Sequence, residues 1–120
     1  MKPETLLDYC LNKPGALKAY PFGPETTVVK VGGKMFAFFG GKGSEAWINL
    51  KCDPDTATIL RTEYKSIAPG YHMDKDHWNT VILDGSIPDD EILMMVDMSY
   101  ELVLEGLPHH TRTKIMDENT

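Results

Sequence analysis

Two histidines and two aspartates crowd into six residues, as His72, Asp74, Asp76 and His77, and imidazole and carboxylate are both ligands for zinc and other transition ions. The spacing argues against a shared ion. On a helix, HxxxxH sets the imidazoles about 140° apart, whereas a common face requires i+3 or i+4. The residues read better as a turn in which Asp74 caps a short helical segment, His72 and His77 bond to backbone, and Trp78 anchors the next strand. No metal and no other cofactor is expected. Gly40-Gly41-Lys42-Gly43-Ser44 is glycine-rich like a phosphate loop, yet it lacks the GxxxxGK[ST] spacing and joins two predicted strands instead of feeding a helix. It reads as a flexible hairpin tip whose Lys42 can reach outward. For nucleophilic catalysis there is no GxSxG elbow. Cys10 falls in an apolar helix stripe. Cys52 stands beside a helix start, which can lower a thiol pKa, but no base lies near it in sequence. His109-His110 reads as solvated surface.

Positive charge is the other candidate chemistry. The window from Thr27 to Lys51 carries Lys30, Lys34, Lys42 and Lys51 against Glu45 alone. The chain as a whole is acidic, at −6, and the charge is unevenly spread: residues 1–60 have seven Lys/Arg against six Asp/Glu, residues 61–120 five against twelve. Nucleic-acid binders draw affinity from neutralised phosphates and show a basic excess, so composition disfavours that class except through a local basic face.

These residues must be held by one small core. A chain of 120 residues with 42% hydrophobic content fits one domain. Cys10 and Cys52, 42 positions apart without a CxxC, read as free thiols in a reducing cytosol. The start MKPETLLDYC lacks the basic lead and apolar run of a signal peptide, and no stretch approaches the ~20 apolar residues of a membrane span. A soluble cytoplasmic protein is expected.

Pro3 suits the first turn of a helix whose stripe is Leu6, Leu7, Cys10 and Leu11, closed by Asn12 to Gly15. A loop centred on Tyr20-Pro21-Phe22-Gly23-Pro24 should pack back onto the body. Thr27 to Val31 and Lys34 to Phe39 are strands joined by Gly32-Gly33, a two-residue primed hairpin turn, and Ala46 to Lys51 completes a meander. Strict alternation places Lys34, Phe36 and Phe38 on one side of the second strand and Met35, Ala37 and Phe39 on the other, so both faces are largely apolar, and either helices cover both or one side is an interaction surface. Asp53-Pro54 begins a second helix with Ala57, Leu60 and Tyr64 inward. Ser66 to Ala68 and Trp78 to Leu83 are further strands. Pro88 starts the last long helix, with Ile92, Val96, Ser99/Tyr100, Val103 and Leu107 buried and Asp89, Asp90 and Glu91 at its positive end. A final turn spans His110 to Met116 before a frayed tail. The order α-βββ-α-ββ-α with an antiparallel sheet makes a single two-layer α+β domain.

The stretches YPFGPE (Tyr20 to Glu25), KVGGKMFAFF (Lys30 to Phe39), INLKCDP (Ile48 to Pro54), PGYHM (Pro69 to Met73) and HWNTVILDGSIPD (His77 to Asp89) together resemble the MmcQ/YjbR family over nearly the whole chain, roughly Lys2 to Leu107. The resemblance implies a small cytosolic bacterial protein with a fold likened to type III secretion chaperones, and the DNA-binding label that the family carries. It makes His72, His77, Trp78, Asn79 and Thr80 motif candidates. Asp74 and Asp76 flank Lys75 where relatives look more basic. On this reading the lysine-bearing hairpins approach duplex DNA, four phosphate contacts giving a log-affinity against log-salt slope of about −3.6. The competing expectation is a peptide- or protein-binding adaptor, from the net negative charge, the two-sided apolar strand and seven methionines, which are adaptable contact residues. A cryptic enzyme would need a pocket gathering His72, His77 and Cys52. Asn79 and Thr80 are expected to divide between solvent and the adjoining turn.

Overall fold

The computed structural model describes residues 1–118. Six strands form one antiparallel sheet, ordered β1-β2-β3-β4-β6-β5: β1 Ala16–Ala19, β2 Thr27–Val31, β3 Lys34–Gly40, β4 Trp47–Lys51, β5 Ile67–Pro69 and β6 Trp78–Ile82. Four helices accompany them: α1 Pro3–Leu11, α2 Pro54–Glu63, α3 Asp89–Glu105 and α4 His109–Glu118. The α+β architecture is as expected, with two additions. Ala16–Ala19 was assigned to a loop and instead pairs with β2, and the single expected turn after Pro108 is a ten-residue helix. Part of the expected frayed tail, residues 119 and 120, lies outside the described residues.

Local chemistry explains the framework. Gly32 and Gly33 take φ of 56° and 81°, the positive pair that a primed two-residue turn requires and that only glycine adopts without strain. Asp53 caps α2 by accepting from the Thr56 amide at 3.0 Å, a bond that holds its carboxyl below the usual range. The inward stripe of α3 is Ile92, Val96, Ser99, Tyr100 and Val103, joined by Met95 and Leu104. It packs on β2, β3 and β4, while α2 lies on β5 and β6. Leu6 and Cys10 of α1 complete this layer.

The sheet departs from strict alternation at Phe36. Val29 pairs with Ala37 but Lys30 pairs with Met35, so Phe36 is the extra residue of a β-bulge, which shifts the side-chain phase of its strand. Phe36, Ala37 and Phe39 therefore all join the helix-side core, while Phe38 and Met35, paired with Val28 and Lys30, turn to the other face. The expected groupings of Phe36 with Phe38 and of Met35 with Ala37 and Phe39 are corrected accordingly. In the β3–β4 ladder the register that pairs Ala37 with Leu50 would next pair Phe36 with Lys51. There the Ser99 hydroxyl of α3 enters instead, donating to the Phe36 carbonyl at 2.6 Å and accepting from the Lys51 amide at 2.8 Å.

All helix contacts fall on one face, and among the described residues the opposite face carries loops and no helix. No helix of the described residues is long and apolar enough to cross a membrane.

Candidate binding face

The uncovered face holds a row of rings. Phe22, from the loop after β1, stacks on Phe38 with centroids 5.3 Å apart; Phe38 meets Trp47 at 5.5 Å; Trp47 meets Tyr71 edge to face at 6.1 Å; and Tyr71 contacts His72 at 4.0 Å. Phe22 and Tyr71 are 64% and 56% exposed, well above what such rings show in a core. The turn-rich loop does pack back, as expected, and it brings an accessible ring with it.

Each ring is positioned by something specific. Trp47 is paired with Gly40, and a Cβ on Gly40 would overlap its indole, so the missing side chain is what lets the ring lie flat across β3. Tyr71 is fixed through its backbone. Its amide donates to Thr80 Oγ1 at 2.8 Å, and its carbonyl accepts from Asn49 Nδ2 at 2.9 Å, while the Thr80 hydroxyl donates to Asn49 Oδ1. Asn49 and Thr80 are cross-strand partners on β4 and β6, buried at 0% and 6% exposure. Two buried polar side chains in mid-strand thus satisfy each other and clamp the backbone of one loop residue on both sides of its Cα.

The far end of that loop is held from the helical side. Arg61 of α2 donates from Nε to Asn79 Oδ1 at 2.7 Å and from Nη2 to the Trp78 carbonyl at 3.2 Å and to the Lys75 carbonyl. Gly70 must be glycine, because a Cβ there would stand 2.7 Å from Trp78 Cβ. Within the loop Asp74 binds His77 Nδ1 at 2.9 Å and the Asp76 amide at 3.0 Å, and the His77 bond chiefly depresses the Asp74 carboxyl. His72 takes φ 61°. The histidines thus pair with a carboxylate and a ring, where bonds to backbone were expected. Asn79 and Thr80 are both buried, one toward α2 and one under the loop, where one of them was expected to face solvent.

Between Trp47, Tyr71, Thr80, Ala68 and Ile82 runs a groove of about 520 Å³, with Gly41, Ser44 and Glu45 along its rim. The glycine-rich connection is a 3-10 turn, Gly43–Glu45, tied by Glu45 N to Lys42 O at 3.0 Å. Gly41, at φ 72°, leaves no room for a Cβ against the Glu45 carbonyl. What sequence presented as a flexible tip is a folded rim that sets Glu45 at the groove.

The four lysines do not converge. Lys30 and Lys51 alternate with core residues of β2 and β4, so both stand on the ring-bearing face. Lys34 pairs with Val31, a helix-side residue, and so points to the other face. Lys42 follows the far end of seven-residue β3, about 20 Å from Lys34 at the usual rise per residue. Ion pairs among the described residues join the Met1 amine to Asp89, Lys13 to Asp97 and His77 to Asp74.

Nor do the thiols meet the histidines. Cys52 lies in the core with its pKa pushed up by burial to about 11, and burial lifts Cys10 to about 12. The His77 ring sits outside with Asp74. Among the described residues no three His, Cys, Asp or Glu side chains gather as a metal site.

Sequence reasoning passed over Asn49, Arg61 and Tyr71 as contributors. Asn49 had a signal: an amide between Ile48 and Leu50 in a strand is a buried polar group in need of a partner. Arg61 and Tyr71 had none, since their partners lie on other elements.

The profile of the YjbR family matches residues 11–102. A protein of Escherichia coli K12 named as uncharacterised protein YjbR is 37% identical over 93% of this chain and 95% of its own length. The uncharacterised protein YbdF of Escherichia coli O157:H7 is 35% identical over 93% and 92%. In structure, the chain is similar to the DUF419 domain of a Deinococcus radiodurans protein, with TM-score 0.86 and 36% identity over 93% of this chain and 86% of that one. It is also similar to a Pseudomonas syringae protein, with TM-score 0.75 and 28% identity over 86% and 99%.

Proposed function

The chain belongs to the YjbR family, and from the geometry of its open face we propose that it is a non-catalytic binding domain whose ring-bearing sheet surface receives an extended segment of a partner protein. One observation carries the reading: rings from β3, β4 and two loops form a continuous row on a helix-free face, and the loop that supplies Tyr71 is pinned at both ends. An accessible aromatic surface that is already ordered loses little entropy when a partner docks, and aromatic side chains dominate binding hot spots. Free, buried cysteines are consistent with a cytoplasmic setting.

The test is selection of peptides from a displayed random library on the folded protein, with Trp47→Ala as counter-selection. Selected peptides should shift the amide resonances of Phe38, Trp47, Tyr71 and Thr80 and lose at least tenfold affinity on Trp47→Ala, as truncating a hot spot costs 2 kcal/mol or more. Peptides that bind Trp47→Ala as well as the parent, or whose shifts map to the helical face, reject it.

Duplex DNA is a second reading, favoured by Lys30 and Lys51 on the same open face with Met35 between them. Two phosphate contacts in place of four would give a salt slope of about −1.8. Absence of duplex binding at low salt removes this reading.

A further inference from the structure

The groove beside Trp47 has a chemistry more specific than an apolar cleft. Trp47 and Tyr71 meet at 74° with centroids 6.1 Å apart, so two ring systems present surface to one space from different directions. The remaining wall is short and apolar, from Ala68 and Ile82, and Glu45 supplies the one charged group of the lining. Crossed aromatic walls with a carboxylate at the mouth are the arrangement that stabilises a cation: ring faces are the negative part of the aromatic quadrupole, and a carboxylate completes the attraction at partial exposure. The same arrangement disfavours a phosphate or carboxylate ligand, which Glu45 would repel.

We propose that this groove is the recognition pocket for a basic side chain, arginine or lysine, of the docking segment, held against the ring surfaces that Trp47 and Tyr71 turn to the groove, with its charge toward Glu45. The proposal rests on the open face being a peptide-docking surface and adds the identity of the anchor. Its walls are set before binding. Gly40 frees the indole to lie across β3, the Asn49–Thr80 pair fixes the Tyr71 backbone, and the Gly43–Glu45 turn sets the backbone of Glu45 beside the groove. Among the described residues no lysine or arginine is part of the lining.

The test uses three capped amino acids as probes, N-acetyl-arginine N-methylamide, its lysine counterpart and the uncharged norleucine counterpart, titrated while the Trp47 indole N–H and Tyr71 amide resonances are followed. The cationic probes are expected to give saturable shifts at both resonances, with norleucine at least about fivefold weaker. Glu45→Gln should weaken the cations about threefold to fivefold while leaving norleucine and the thermal midpoint unchanged, and Tyr71→Ala should remove cation binding. Norleucine binding as tightly as arginine at the same resonances overturns the cation assignment and leaves the docking face standing. Silence of all three probes at Trp47 overturns the pocket. A cation response that Glu45→Gln does not alter overturns the role of the carboxylate and with it the proposal as stated.

Discussion

Ser99→Ala isolates the device that holds the bulge. The Ser99 hydroxyl is fully buried, donates to Phe36 O at 2.6 Å and accepts from Lys51 N at 2.8 Å, standing where a direct β3–β4 ladder bond would otherwise run. Alanine keeps the helix and almost all of the volume, and on transfer energetics alone the exchange of a hydroxyl for hydrogen is neutral or slightly favourable. The structure predicts the opposite sign. Two backbone groups lose their partner in a site water cannot enter freely, at about 1–3 kcal/mol for each buried group left unsatisfied. With a small gain from losing the polar hydroxyl, the net cost is about 1–5 kcal/mol. Urea unfolding measures it: with a slope of about 2 kcal/mol per M, the midpoint falls by roughly 0.5–2.5 M with the slope unchanged. Amide exchange gives the local signature, because Lys51 N–H should lose protection while the amide of Leu50 keeps it up to the reduced global stability. A midpoint within about 0.25 M of the parent, with Lys51 still protected, would mean that the strands close on each other without help. The account of the bulge would then be wrong.

Three further outcomes follow from the packing and the titrating groups. Trp78→Ala should cost about 3–5 kcal/mol in the same unfolding assay, since the ring is 9% exposed beneath the Gly70 turn; a change near zero would make it a surface residue. The Asp74 carboxyl has a folded pKa below its ordinary 3.8 through His77 and the Asp76 amide, so its stabilising contribution is complete above that value and is lost as pH falls through the lowered one. Asp74→Asn should therefore flatten the stability profile below about pH 4, and an unchanged acid limb refutes the pairing. Both thiols, held at about 12 and about 11, should resist iodoacetamide at pH 8 in the native protein and react on unfolding; rapid native alkylation of Cys52 would contradict its burial.

What sequence made legible was whatever is decided within a few residues. Gly32-Gly33, Asp53-Pro54 and the α3 stripe each carry their own local physics, and each stands where the pattern placed it. β1 was hidden because Ala16, Leu17, Lys18 and Ala19 form a half-exposed edge strand without apolar alternation, and its existence depends on pairing with β2. α4 was hidden because it is polar on almost every side, with Ile115 alone among its residues packing against the core. The bulge at Phe36 defeated alternation outright, since the carbonyl it turns away from the ladder is met by a helix side chain 63 positions away. At the candidate face, Trp78 and Thr80 drew notice as part of a motif, but the groove depends on Tyr71, Asn49 and Glu45, whose meeting is set by sheet register and by a loop clamp that no local spacing encodes.

The inserted residue at Phe36 gives β3 a parity. Upstream and downstream of it the same strand counts inward and outward differently, and this lets four aromatic and aliphatic positions in a row serve two unrelated layers. Loss of one residue between Met35 and Phe38 would therefore do more than shorten a strand. It would put β2 and β3 into simple alternation with Phe38 still outward, and would take from the interior one side chain and the carbonyl that Ser99 holds, so the extra residue serves the buried layer and leaves the outward ring where it stands.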